Sequence, residues 1–229
     1  MKKLSVIIPV LNEARTIAEI VRRVDAEKIA GWEKEIIIVD GDSSDGSKEI
    51  LLKLRESINF LLIIQSGQKG KGAAIKLGLQ RSTGDAVLIQ DADLEYDPGD
   101  YSLLLSAYSR GNDVVYGSRN LLRQARGYLR AYLGGRLITS VMNTLFGSKL
   151  TDVNTCYKLF DVKILRGLEF ESDGFAFCEE VTAKVLKSGK SIVEVPIKYA
   201  PRTYKEGKKI KLRDGMIAIW TILRCRFLG

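Results

Sequence analysis

Three observations predict an α/β protein with a mostly parallel central sheet and helices on both faces. Short apolar runs at residues 4–10, 36–39, 60–64 and 86–89 read as strands. Stretches with apolar residues at helical spacing lie between them. Each run empties into a polar turn carrying acids, or glycine with lysine. Strand, polar turn and helix in alternation give a parallel sheet, and such sheets bind ligands beyond the carboxyl ends of their strands.

The first strand, LSVIIPV at 4–10, is almost continuously apolar and ends at Pro9, Asn12 and Glu13. Ile17, Ile20, Val21 and Val24 then follow an i, i+3, i+4, i+7 pattern, which predicts a helix that Gly31 ends. The second strand runs into Asp40, Asp42 and Asp45. A helix over 47–56 places Ile50, Leu51 and Leu54 on one face. The third strand ends in Ser66-Gly67-Gln68-Lys69-Gly70-Lys71-Gly72, ahead of a helix over 73–80. This loop lacks the spacer and the Ser/Thr of a Walker A motif, and no Gly-x-Gly-x-x-Gly follows the first strand.

The fourth strand, 86–89, delivers the chain into Asp91, Asp93, Glu95 and Asp97. In extended chain Asp91 and Asp93 share a face, where two carboxylates repel unless a cation lies between them. Oxygen donors of this kind suit Mg2+ or Mn2+. Pro98 fits the first turn of a helix reaching about residue 110. A fifth strand over 113–116 precedes Gly117-Ser118-Arg119. Residues 121–146 read as helix interrupted at Gly134-Gly135, 152–160 as a turn into a strand, and 175–186 as helix. Residues 192–197 read as a strand in which Pro196 marks an edge or terminal position, 199–213 as a basic loop and 214–227 as a short amphipathic helix. The expected division is a main body over 1–200, with the loop and last helix over 201–229 belonging to the same domain.

Composition narrows the chemistry. The 229 residues contain no histidine, which removes Ser-His-Asp and Cys-His catalysis and histidine-ligated zinc. Three widely spaced cysteines fit reduced thiols in a cytoplasm. Met1-Lys2-Lys3 leads directly into a strand, so no secretory leader is expected. No apolar stretch reaches the ~20 residues of a membrane span. The net charge of +8 is unevenly placed. Residues 114–151 hold six cations and no acid, and 198–213 hold seven cations and one acid, so these two segments carry +12 and the remainder −4. Basic segments seek polyanions, and the first, mixed with Leu, Tyr, Ile, Val and Met, reads as a membrane-surface stretch.

The ordered motifs Pro9-Val-Leu-Asn12-Glu13, Val39-Asp40-Gly-Asp42-Ser43, Gly70-Lys71-Gly72, Asp91-Ala92-Asp93 and Gly117-Ser118-Arg119 resemble family 2 glycosyltransferases of the GT-A fold. Asp152-x-x-Thr-Cys-Tyr-Lys-Leu-Phe, Glu179-Glu180, Glu194-Val-Pro196-Ile and Arg202-x-x-x-Glu206-x-Lys208 resemble the dolichol-phosphate mannosyltransferase-like branch, the polyprenyl-phosphate glycosyltransferases. The resemblance implies metal-dependent, inverting transfer of a hexose from GDP-mannose or a UDP-sugar to dolichyl or undecaprenyl phosphate. The enzyme would lie peripherally on the cytoplasmic membrane face, without nucleic acid.

By that resemblance Asp40, Asp42, Val39 and the turn of Pro9, Leu11 and Glu13 hold base and ribose. Asp91, Ala92, Asp93 and Lys71 serve ribose and diphosphate, and Asp91, Asp93 and Glu95 hold Mg2+ or Mn2+. Asp93, Arg119, Arg202 and Lys208 form the catalytic set, in which Arg119, Arg202 and Lys208 grip the donor diphosphate or the acceptor phosphate. The sequence departs from the pattern at Gly41, where relatives have Asp, at Leu11 for Tyr, and at Glu95 for a metal-binding Gln. Some relatives continue into C-terminal membrane helices, whereas this sequence stops at Gly229. Membrane contact is then expected from amphipathic helices, from an anchoring partner or from a second copy. Two other readings share some features: the same fold with a water-soluble acceptor, and a basic nucleic-acid-binding module.

Overall fold

The computed structural model describes residues 1–66, 70–122, 124, 128–203 and 212–228. The predicted alternation is present: β1 (Lys2–Val10), α1 (Ile17–Ala26), β2 (Trp32–Asp40), α2 (Ser47–Leu54), β3 (Leu61–Ile64), α3 (Lys71–Arg81) and β4 (Ala86–Ile89). A 3-10 turn (Pro98–Asp100), α4 (Tyr101–Ser109) and β5 (Val114–Ser118) follow. The chain continues through α5 (Leu129–Phe146), β6 (Lys158–Asp161), α6 (Val162–Arg166), α7 (Phe177–Lys187), β7 (Val193–Pro196) and α8 (Leu212–Phe227).

The seven strands order as β3-β2-β1-β4-β6-β5-β7. All neighbours run parallel except β6, which is antiparallel to both β4 and β5. From β1 the chain steps outward to β2 and β3, then returns to place β4 on the other side of β1. That reversal separates the connections leaving β1 and β4 and opens a crevice at their carboxyl ends.

Side-chain alternation explains the two covered faces. Ile36 and Ile38 join the core that contains Ile17, Ile20, Val21 and Val24 of α1. Ile37 and Val39 point the other way, onto Ala74 of α3. Gly78 lets α3 approach β1: a Cβ there would lie 2.6 Å from Ile7 Cγ2. β3 is the outer strand beyond β2 and is only half-buried. Pro196 ends β7, the strand at the opposite edge, where a missing N–H costs least.

Three expectations change. Pro98 opens a 3-10 turn before α4, with Asp97 accepting from Gly99 N–H as its cap. The helix read over 121–146 begins only at Leu129, and it runs through Gly134 and Gly135 without a break. Its buried residues Ile138, Thr139 and Met142 lie beyond the glycines, so packing there offsets the weak helix preference of glycine. Asp91 and Asp93 do not share a strand face. β4 ends at Ile89, and Leu94 at φ 38° turns the chain between Asp93 and Glu95.

Ala218, Ile222 and Cys225 of α8 pack with Ile138 and Met142 of α5 and Ala183 of α7 in a second apolar cluster. The opposite face of α8 leaves Trp220 59% exposed, beside exposed Met216 and Ile217. Leu129, Leu133 and Leu137 make a similar exposed row on α5. No helix among the described residues is long and apolar enough to cross a membrane. Ile222→Ala is expected to cost about 2–4 kcal/mol by leaving a cavity beneath α8, measured as a shift in urea denaturation midpoint at unchanged slope.

Candidate active site

The carboxyl ends of β1, β2 and β4 meet, and each ends in unusual backbone. Among the described residues the positive-φ positions other than glycine are Asn12, Asp42 and Leu94, one after each of these strands. Such conformations cost of order 1–3 kcal/mol each and gather where surrounding contacts enforce them.

The first two strand ends are tied together. Gly41 N–H donates to the Val10 carbonyl at 2.8 Å. Ser43 Oγ accepts from Asn12 N–H at 2.9 Å, Ser47 Oγ from Glu13 N–H at 2.9 Å, and Asp45 from Ala14 N–H at 2.9 Å. Asp40, fully buried, accepts from Ser43 N–H and hydroxyl at Oδ1, while its Oδ2 has no hydrogen-bond partner among the described residues. A buried carboxylate oxygen left unmatched is costly, so this one is suited to a ligand N–H or hydroxyl. Leu11 is exposed at the rim beside it. Val39 sits beneath with its side chain in the core, and Ala92 is buried with its carbonyl accepting from Thr16 Oγ1.

The acids after β4 are met by cations from distant parts of the chain. Lys71, at the first position of α3, pairs with Asp91 at 2.6 Å and donates to Cys156 Sγ at 3.3 Å. Burial pulls the Asp91 pKa upward, but Lys71 overrides it and holds the carboxyl below its usual range. Lys71 reaches that place because the glycines beside it have no Cβ. A Cβ on Gly70 or Gly72 would overlap the carbonyls of Asp173 or Ser172. That loop is itself held by fully buried Glu180, whose carboxylate accepts from Glu171 N–H at 2.9 Å and Ser172 N–H at 2.7 Å.

Arg202 occupies the centre. Its guanidinium makes a short ion pair with Asp93, bonds Glu13 at 3.1 Å and lies 3.8 Å from Glu95, which also accepts from Arg202 N–H at 2.7 Å. Three carboxylates thus face one guanidinium. Burial, then the charges of Asp91 and Glu95, push Asp93 up to about 7 although Arg202 pulls it down. Tyr199 connects this cluster to the next: its hydroxyl donates to Glu95 at 3.1 Å, and the Arg119 guanidinium stacks over its ring at 5.0 Å. Arg119 makes a two-pronged pair with Asp152, both bonds at 2.7 Å. Glu194 of β7 secures Asp152 through its N–H at 2.9 Å, and Thr151 through both N–H and hydroxyl.

Asp91, Asp93, Arg119 and Arg202 therefore lie at the carboxyl ends of the strands, linked through Lys71, Glu13, Glu95 and Tyr199, with Asp40 at the end of β2. Asp42 lies in the turn after β2 and Pro9 within β1. Lys208 lies outside the described residues. The motifs around Asp152, Glu180 and Glu194 were visible in sequence without roles. The structure makes them the supports of Arg119 and Lys71. Tyr199 and Gln90 carried no signal; buried Gln90 accepts hydroxyl hydrogens from Tyr101 and Tyr157, both at 2.7 Å.

A divalent cation is implied by the resemblance, and Asp91, Asp93 and Glu95 offer it only oxygen donors, as hard cations require. Among the described residues, however, no three acids are gathered around an open centre. Arg202 lies between them.

The family model of glycosyl transferase family 2 matches residues 5–168. The chain belongs to that family. Dolichol-phosphate mannosyltransferase of Pyrococcus furiosus is 29% identical over 213 residues, covering 90% of this chain and 59% of the relative's length. Glycosyltransferase AglJ of Haloferax volcanii is 28% identical over 222 residues, covering 96% and 70%. The chain thus spans less than two thirds of the first relative's length. Glucosyl-3-phosphoglycerate synthase of Mycobacterium tuberculosis, solved with Mg2+ and UDP, superposes with a TM-score of 0.77 over 100% of this chain and 80% of that one, at 18% identity. This likeness shows the GT-A-like fold.

Glu179 supplies a pH prediction. It is buried, accepts from Asn154 Nδ2 at 2.7 Å, and burial pushes its pKa up to about 7 from an ordinary 4.5. A carboxyl raised in the folded state costs stability increasingly as pH rises from its unfolded value through its folded one. Glu179→Gln, which can keep the Asn154 bond, should stabilise the fold by about 2 kcal/mol at pH 8 and much less at pH 5, measured by urea denaturation at both.

Proposed function

We propose that the protein transfers a hexose from a nucleoside diphosphate sugar to a polyprenyl phosphate at the cytoplasmic membrane surface, with Mg2+ or Mn2+ and with inversion. The observation that carries this reading is the convergence of Asp40, Asp91 and Asp93 with Lys71, Arg119 and Arg202 at one sheet edge. Asp40 Oδ2 is suited to the base or ribose, next to the turn of Pro9, Leu11 and Glu13. Asp42, the main chain at Val39 and Ala92, and Lys71 complete the donor site on this reading.

The acceptor's phosphate oxygen is already an anion, so it attacks the anomeric carbon without a general base, in keeping with a chain that lacks histidine. The new carbon–oxygen bond forms as the bond to the diphosphate breaks, and the diphosphate leaves with the electron pair. The obstacle is repulsion between the two phosphate groups, on the order of 4 kcal/mol for unit charges about 4 Å apart at an effective dielectric near 20. Arg119 and Arg202, joined by Lys208, would reverse the sign of that encounter. Held by Asp91, Asp93 and Glu95, the divalent cation would offset charge on the leaving diphosphate.

The lipid acceptor draws support from the dolichol-phosphate relative and from the surface of α5 and α8. Leu129, Leu133 and Leu137 face outward with exposed Arg130 and Arg136 on the same helix, and Arg136 donates to the Thr151 carbonyl beside Asp152. Apolar side chains rimmed by arginine suit an anionic membrane interface. A water-soluble phosphorylated acceptor is the second reading, because the structural neighbour was also solved with phosphoglyceric acid.

The deciding experiment offers a panel of GDP- and UDP-sugars with Mg2+ or Mn2+ to a short polyprenyl phosphate and to phosphoglyceric acid, with mass analysis of products. Glycosylated lipid phosphate is expected; product only from the soluble acceptor would select the second reading. Asp93→Ala should abolish metal-dependent turnover with the fold intact by circular dichroism. Arg202→Ala should lower kcat by about 100-fold or more while changing donor affinity far less, as loss of charge stabilisation in the transition state requires.

A further inference from the structure

Arg202 poses a problem for the proposed reaction. Its guanidinium lies among Glu13, Asp93 and Glu95, and two of these acids belong to the set assigned to the metal. The guanidinium holds Asp93 Oδ2 and lies against Glu95 Oε1, so a cation between these acids would meet a positive charge already in place. The same arginine is assigned to the phosphates, yet a guanidinium already matched by carboxylates has little to offer another anion.

Both difficulties have one solution. We propose that Arg202 and the divalent cation take turns on Asp93 and Glu95, so that metal loading releases the guanidinium to bind the acceptor's phosphate. The inference rests on the reading of the site as a metal-dependent glycosyltransferase centre. In the metal-free protein Arg202 acts as the internal counter-ion of the acids, sparing them the cost of an unmatched buried charge. Once a divalent cation supplies that charge, the ion pairs of Arg202 lose their partners. Donor and metal then bind first and the acceptor second, because its phosphate site is completed only by the freed arginine.

The surroundings allow the side chain to move while its backbone stays. Lys198 N–H is fixed by Asp100 at 2.7 Å, Tyr199 N–H by Gln124 at 2.9 Å and Ala200 N–H by the Glu95 carbonyl at 2.9 Å. None of these anchors uses a carboxylate oxygen assigned to the metal. Of the described contacts on Asp93 and Glu95, those of the Arg202 guanidinium and N–H must yield, while the Tyr199 hydroxyl on Glu95 Oε2 and the Glu95 N–H on Asp93 Oδ1 hold the two carboxylates in place. Buried Arg202 Nε has no hydrogen-bond partner among the described residues, so the guanidinium is held through its two terminal nitrogens alone. Arg119 stacks on Tyr199 and is paired with Asp152, so it remains in place as Arg202 changes partners.

The test measures Mn2+ binding to nucleotide-free protein through the electron paramagnetic resonance signal of free Mn2+, for wild type, Arg202→Gln and Arg202→Lys. Competition predicts that Arg202→Gln binds Mn2+ about tenfold more tightly than wild type, within the usual range of coupling between ligands. Arg202→Lys, which keeps the charge without the fork, should fall between them and keeps the test open if the glutamine variant does not fold. Equal or weaker Mn2+ binding by the folded variants overturns the inference while leaving a metal-dependent transferase standing. Failure of Mn2+ to bind any variant overturns both. In a second arm, calorimetry follows farnesyl phosphate binding with and without Mn2+ and a nucleoside diphosphate. Wild type should gain affinity when they are added, and Arg202→Gln should gain much less; equal gain in both proteins overturns the inference.

Discussion

Carboxylates placed at the ends of buried strands need positive charge, and the whole site is built around that need. Asp91 and Asp93 follow β4, the strand at the middle of the seven, with Asp93 buried and Asp91 half-buried. Leaving such groups ionised and unmatched costs several kcal/mol each. The chain answers with Lys71 from the start of α3 and Arg202 from beyond β7, 109 residues after Asp93. The second answer folds the segment 197–203 back over the strand ends and gives the crevice its outer wall.

A second layer of polar contacts keeps those cations in register. On one side, Glu180 fixes the loop against which Gly70 and Gly72 are packed, and so fixes Lys71. On the other, Glu194 grips Thr151 and Asp152, Asp152 grips Arg119, and Arg119 lies on Tyr199, whose hydroxyl meets Glu95. Each of these carboxylates is buried or half-buried with its oxygens engaged, and networks of this kind are rigid when complete. The route runs from an edge strand to the centre of the site, so β7 is tied to the strand-end acids as well as to the sheet.

Local pattern was a good guide where one interaction dominated. The 3.6 periodicity of Ile17, Ile20, Val21 and Val24 gave α1, because all four are fully buried against the sheet. It was a poorer guide at 121–146, where the helix starts late and the two glycines lie inside it. There the decisive contribution is contact of Ile138 and Met142 with α7 and α8, elements far along the chain. The extended-chain argument for Asp91 and Asp93 failed for a related reason. It assumed that the strand continues, whereas β4 ends at Ile89, before either acid, and the two meet different partners.

What residue order alone determined was the alternation of strands and helices, the acids and glycines at their ends, and the chemistry closed to a chain without histidine. These follow from properties of single residues and their near neighbours: burial preference, period, charge and backbone freedom. Only the tertiary structure decided which cation meets which acid, that Asp40 keeps one oxygen unmatched, and that Arg202 lies where a metal is expected. Those outcomes depend on distances between residues twenty to nearly two hundred positions apart, and a linear pattern holds no measure of such distances.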